Sequence, residues 1–191
     1  LLYDNERDKE KAKELYEKSA ARGNTDAMYN LGLLYDNERD KEKAKELYEK
    51  SAARGNTDAM YNLGLLYDNE RDKEKAKELY EKAASKGDAD AMYNLGVLYN
   101  NEGYKVKAKE WYEKAALKGN AYAMNNLGVL YDNEEDKEKA KEWYEKSASK
   151  GDAEAMYNLG VLYDNEGDKV KAKKWYEKAA SKGDADAMNN L

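Results

Sequence analysis

The chain repeats itself every 32 residues, and its 191 residues are one short of six such units. Residues 1–50 equal residues 33–82 at every position, and the later copies vary more. A period of this size points to a solenoid of stacked supersecondary units rather than to one closed core. The expected organisation is a single array over 1–191, with units 1–32, 33–64, 65–96, 97–128, 129–160 and 161–191.

One unit, residues 33–64, reads LLYDNERDKEKAKELYEKSAARGNTDAMYNLG. Apolar residues recur at helical spacing twice per unit. Ala27, Met28, Leu31, Leu34 and Tyr35 define a first helix over about 26–37. Ala44, Leu47, Tyr48, Ser51 and Ala52 define a second over about 40–54. No strand-like alternation occurs, so the fold class is all-α. Asp40 stands where a side-chain oxygen caps the second helix, with equivalents at Asp8, Asp72, Asp136 and Asp168 and an exception at Tyr104. Gly55 and its copies follow the basic end of that helix, where a left-handed residue satisfies the last carbonyls. Connections of about 2–4 residues make neighbouring helices antiparallel. Gly32 interrupts a helix interior at a cost of about 1 kcal/mol against Ala, which points to close helix–helix approach. A hairpin of this size cannot bury its own apolar face, so stacking must complete the core. The charges of the second helix read as a solvated surface with i,i+4 partners such as Lys45–Glu49 and Glu46–Lys50.

These residues carry a family resemblance. Met28-x-x-Leu31-Gly32-x-x-Tyr35 followed by Ala44-x-x-x-Tyr48 resembles the tetratricopeptide signature, with Met for its Trp, Tyr for its Phe and no closing Pro. Asp40-x-x-Lys43-Ala44 and Lys50-Ser51-Ala52-x-x-Gly55-x-x-x-Ala59 resemble the Sel-one-like repeat. The likeness strengthens in Lys107-Ala108-Lys109-Glu110-Trp111-Tyr112-Glu113-Lys114-Ala115-Ala116, although Tyr35 to Asp40 is too short for the longer loop of that family. The resemblance spans essentially the whole chain. It implies an α-solenoid of antiparallel helix pairs forming a right-handed superhelix, whose first helices line a concave groove that holds peptides or partner proteins.

By that resemblance Asp26, Tyr29, Asn30, Leu33, Asp36 and Asn37 line the groove. Their counterparts are Tyr61, Asn62, Asp68 and Asn69, then Tyr93, Asn94, Asn100 and Asn101. Tyr122, Asn125, Asn126, Asp132 and Asn133 follow, and then Tyr157 and Asn158. Two asparagine rows result, one through Asn30 and Asn190 and the other from Asn5 to Asn165. A carboxamide donates and accepts, so a row of them suits an extended peptide backbone. The adjacent Asp36 row favours Lys- or Arg-containing ligands. The alternative is that these asparagines are structural, since identical units repeat every residue, useful or not. Tyr104, Val106, Leu117, Tyr122 and Asn125 break the pattern, and Tyr122 falls on a groove position as a candidate aromatic anchor.

Composition removes other classes. With no His and no Cys there is no disulfide, thiolate nucleophile, usual zinc site or catalytic triad. A net charge of −6 is wrong for meeting phosphate, so no nucleic acid is expected. No apolar run reaches membrane-spanning length. Asp4, Glu6 and Asp8 mimic a calcium loop, but Lys9 and Leu15 occupy its required Gly and Glu positions. No carboxylate pair stands out for acid–base work. No enzyme activity and no cofactor are expected. Leu1-Leu2-Tyr3 reads as the tail of a first helix and Asp186 to Leu191 as the start of another, two complementary halves. That motivates a competing class, a scaffold stacking head to tail. The identity of the first copies fits recent duplication or deliberate engineering alike.

Overall fold

In the computed structural model the described residues are 2–191, with side chains from Asp8 onward. Asn5 of the second asparagine row, and the side chains of the calcium-loop mimic before Asp8, lie outside them. Twelve helices follow one another among the described residues. They are α1 (Leu2–Ala21), α2 (Thr25–Asn37), α3 (Lys41–Ala53), α4 (Thr57–Asn69), α5 (Lys73–Ser85) and α6 (Ala89–Asn101). Then come α7 (Lys105–Leu117), α8 (Ala121–Asn133), α9 (Lys137–Ser149), α10 (Ala153–Asn165), α11 (Lys169–Ser181) and α12 (Ala185–Asn189). The chain divides into two compact units, 1–91 and 92–191. In the first, α1 to α5 pack each on the next in order. In the second, α7 to α12 do the same, and α8 and α10 also touch, as do α10 and α12.

Within each unit the core is a repeated set. Ala44, Tyr48 and Ser51 of α3 bury against Ala27, Met28 and Leu31 of α2 in the first. Ala140, Tyr144 and Ala148 meet Ala155, Met156 and Leu159 in the second. The mid-helix glycines explain the spacing. A Cβ on Gly32 would lie 2.7 Å from Tyr48 Cε1, and one on Gly128 would lie 2.5 Å from Tyr144 Cδ1. The ring occupies the space that any other residue would need. Ser51 Oγ adds a bond to the Thr25 carbonyl at 2.9 Å, and Ser147 repeats it on Ala121 at 2.8 Å.

The caps follow the sequence. Asp40, Asp72, Asp136 and Asp168 accept from the backbone N–H three residues on, whereas Tyr104 makes no side-chain cap. Asp8 is a correction. α1 runs unbroken through it, although residues 1–21 are identical to 33–53, which break at Glu38–Asp40. The break requires a left-handed residue: Arg39, Arg71 and Glu135 have φ of 63–64°, and Gly103 and Gly167 fill the same repeat position. For a non-glycine residue that conformation costs about 1–2 kcal/mol. Packing of the two joined helices offsets it in the inner copies. In the inner copies the turn closes with Arg39 N–H on Asp36 O and Asp40 N–H on Tyr35 O, both at 2.9 Å.

The charged face is also less solvated than the sequence implies. Glu46–Lys50 forms at 2.5 Å, as expected. Lys45 does not pair with Glu49. It reaches Glu70 at the end of α4 at 2.6 Å and lies 4.1 Å from the centre of the Tyr67 ring, while Glu49 accepts from the Tyr67 hydroxyl. Lys13–Glu38, Lys109–Glu134 and Lys141–Glu166 repeat the bridge. Lys75 sits on Tyr67 as well, so that ring lies between two ammonium groups. The arrangement recurs on Tyr35, Tyr131 and Tyr163. A carboxylate and a π face beside one lysine outcompete a single carboxylate one turn away.

Two predictions follow from this packing. Gly128→Ala should lower the urea midpoint by the equivalent of about 1–3 kcal/mol. Combined with Tyr144→Leu it should cost less than the sum of the two, and strict additivity would contradict the ring–glycine contact. The second concerns acid. Hydrogen bonds from the side chain and backbone of the lysine three residues on hold Asp40, Asp72 and Asp136 below the usual carboxylate range. For Asp168 the backbone bond from Lys171 leads. Carboxyls lowered on folding stabilise fully above their ordinary value and lose that contribution as pH falls through the folded one. Asp88 acts with opposite sign, raised by burial and by Asp90 and Asp58. With the lowered group in the majority, the urea midpoint should stay level from about pH 7 to 5 and drop below about pH 4. Asn at the four caps should flatten that drop.

Candidate functional site

Residues 26, 29, 30, 33 and 36 fall on one face of the first helix of each pair, at spacings of three and four. In α2, Tyr29, Asn30, Leu33 and Asp36 are half-buried and Asn37 is exposed. The same pattern holds for Tyr61, Asn62, Asp68 and Asn69 in α4. In α6, Tyr93 and Asn94 are half-buried, while Asn100 and Asn101 are exposed. In α8, Asn126 and Asp132 are half-buried, Tyr122 and Asn133 exposed and Asn125 buried. Tyr157 and Asn158 of α10 are half-buried.

The first asparagine row is tied to the tyrosine row of the preceding copy. Asn62 Nδ2 donates to the Tyr29 hydroxyl at 3.2 Å. Asn126 acts on the phenols of both Tyr93 and Tyr112, countering part of the rise that burial imposes on each. Where Asn125 replaces the tyrosine, Asn158 Nδ2 donates to its Oδ1 at 3.1 Å. Each tyrosine also leans on the next helix: the Tyr29 and Tyr48 rings are 6.0 Å apart, and Tyr157 and Tyr176 are 5.8 Å apart. The second row behaves differently. Asn37, Asn69, Asn101, Asn133 and Asn165 are each the last residue of a helix, two turns from the first row. The left-handed position lies beyond them, at Arg39 and its equivalents. The Asp36 row has partners too: Asp132 pairs with Lys137, and Asp164 with Lys169 at 2.6 Å.

The buried tyrosines differ between copies. Burial pushes the Tyr48 phenol well above its ordinary value, and its hydroxyl is buried with no hydrogen-bond partner. Burial pushes Tyr112 up to about 12, and Asn126 counters part of the shift. Sequence reasoning missed the ties of 33 residues between copies. The signal was present in the constant pairing of Asn62 with Tyr29 and of Asn126 with Tyr93 across one period. Among the described residues no group of His, Cys, Asp or Glu could hold a metal ion, and no helix is long and apolar enough to cross a membrane.

Paired helices, a ring seated on a glycine and polar ties from copy to copy define a tandem helical-repeat protein. The Sel1 repeat family matches residues 4–24, 25–56, 57–88, 121–152 and 153–184, and a tetratricopeptide repeat matches 89–116. The chain belongs to the Sel1 repeat family. Among the curated proteins none matches. Among solved structures, it is similar to c5321, a protective antigen of uropathogenic Escherichia coli strains with an SLR fold. That match has 34% identity and a TM-score of 0.80 over 88% of this chain, and spans 40% of the antigen. A Sel1 repeat protein from Oxalobacter formigenes gives 31% identity and a TM-score of 0.77, over 88% of this chain and 77% of the other. YrrB, described as a TPR protein with an unusual peptide-binding site, shares the fold at 22% identity and a TM-score of 0.62, over 92% of this chain and 98% of its own. Repeats of this fold typically serve as protein-interaction modules, and the family is generally a non-catalytic scaffold.

The contrast between Tyr48 and Tyr112 gives a test. Tyr48→Phe removes a hydroxyl without a partner and should leave the urea midpoint unchanged or raise it. Tyr112→Phe removes a hydroxyl on which Asn126 acts and should cost about 0.5–1.5 kcal/mol. Equal effects would contradict the role of Asn126.

Proposed function

We propose that the chain is a single interaction module and that the exposed face of its first helices binds an extended peptide or partner segment carrying basic residues. The observation that carries this reading is the coincidence, on one face, of half-buried tyrosines and carboxamides with a row of carboxylates. The ties between copies use one N–H of each carboxamide, which has a second donor and an oxygen to offer a backbone. Asp26, Asp58, Asp90 and Glu154 are exposed at the first turn, where a basic side chain gains without being buried. YrrB, which shares the fold, is a TPR protein with an unusual peptide-binding site and offers a precedent for this reading.

Peptides selected from a random library on the full chain should be enriched in Lys and Arg. Their affinity should fall as salt is raised from about 50 to 500 mM, because exposed pairs are screened. Asp68→Asn with Asp132→Asn should weaken them severalfold at low salt. Peptides free of basic residues, or binding indifferent to salt, would overturn the reading. Light scattering on the same sample addresses the competing class: molar mass that climbs with concentration would favour head-to-tail association.

A further inference from the structure

One copy departs from the others at the first turn of its first helix. Tyr122 stands where the rest carry Asp26, Asp58, Asp90, Glu154 and Asp186. Its ring is 63% exposed and lies 6.0 Å from the Tyr93 ring at an angle of 43°. Tyr93 is braced from behind, 6.0 Å from Tyr112. The outer ring therefore stands on a fixed platform. α10, which touches α8, carries the exposed Glu154 at the repeat position of Tyr122. After burial, the charge of Glu154, neighbouring Tyr122 and the charge of Asp152 all act to push the Tyr93 phenol upward. Asp152 caps α10 through one oxygen, which accepts from Ala155 N–H at 3.0 Å. Its other oxygen is buried with no hydrogen-bond partner.

We propose that Tyr122 and Tyr93, with the carboxylate of Glu154, receive the guanidinium group of an arginine in a bound peptide. The inference rests on the peptide-binding reading and adds the side chain recognised. A cation over a tyrosine face is attracted by the ring quadrupole, and negative charge at the ring edge strengthens the site. A guanidinium is planar, so it stacks on an open ring while its N–H groups reach a carboxylate. Two rings at 43° are open on one side. They do not enclose a methylated ammonium, which calls for a cage of aromatic walls. A lysine ammonium is more strongly hydrated and has no flat face to stack.

The test is an NMR titration of the full chain with Nα-acetyl-arginine amide, the lysine analogue and the citrulline analogue, which keeps the shape of arginine without its charge. Arginine should move the Tyr93 and Tyr122 ring signals saturably, lysine several times more weakly and citrulline not at all. Tyr122→Asp restores the residue type of the other copies: it removes the ring and adds a negative charge, so a loss of arginine affinity is owed to the ring. It should weaken arginine binding about three- to tenfold, whereas Tyr122→Phe should retain it. Citrulline matching arginine, Tyr122→Asp binding undiminished, or shifts spread evenly over other acidic turns would each overturn the proposal. A selected peptide that is weakened by Asp68→Asn with Asp132→Asn but indifferent to Tyr122→Asp would overturn this site and leave the peptide-binding reading standing. Arginine titrating Tyr122 in a chain that selects no basic peptide would do the reverse.

Discussion

The seat of a tyrosine ring on a glycine sets the distance between paired helices, and most other features depend on that distance. With Tyr48 Cε1 only 2.7 Å from where a Gly32 Cβ would stand, the backbones approach as closely as the ring permits. Ala27 and Ala44 then fill the remaining space with little side-chain entropy at stake. The cost of glycine inside a helix is about 1 kcal/mol, and a fully buried tyrosine repays it through contact area. At this separation Ser51 reaches the Thr25 carbonyl and Tyr29 leans on Tyr48. Each is a consequence of the seat rather than an independent device.

Association from copy to copy relies on polar groups to a larger extent than a stack of apolar hairpins requires. Asn62 reaches Tyr29 on one side, and Lys45 bridges Tyr67 and Glu70 on the other. Bonds of this kind are directional, so they fix register where apolar contact alone would tolerate sliding. The face proposed for binding is thus also a face that aligns the copies. Its side chains are already held in place, which would lower the ordering cost of the proposed binding.

Most of the fold was legible in the sequence because the 32-residue period, the apolar spacing and the caps agree with one another. The glycine seats, the Asp40 caps and the exception at Tyr104 were readable from residue type alone. Three things were not. The turn after α2 carries arginine at its left-handed position, so only Gly103 and Gly167, in two other copies, gave a sign of it. Lys45 had a sequence neighbour of the right charge at Glu49, and only the fold brings Tyr67 and Glu70 nearer. The tie from Asn62 to Tyr29 crosses a full period, and identical copies make every residue recur, so recurrence could not separate a structural asparagine from a binding one.

Residues 1–21 and 33–53 are the same string with two backbone solutions, one long helix and one pair of helices joined by a turn. Local propensity therefore does not decide between them, and the difference is chiefly one left-handed residue at the position of Arg39. The joint between paired helices is thus not written into the eight or so residues that form it, and one string serves both as a continuous helix and as a corner.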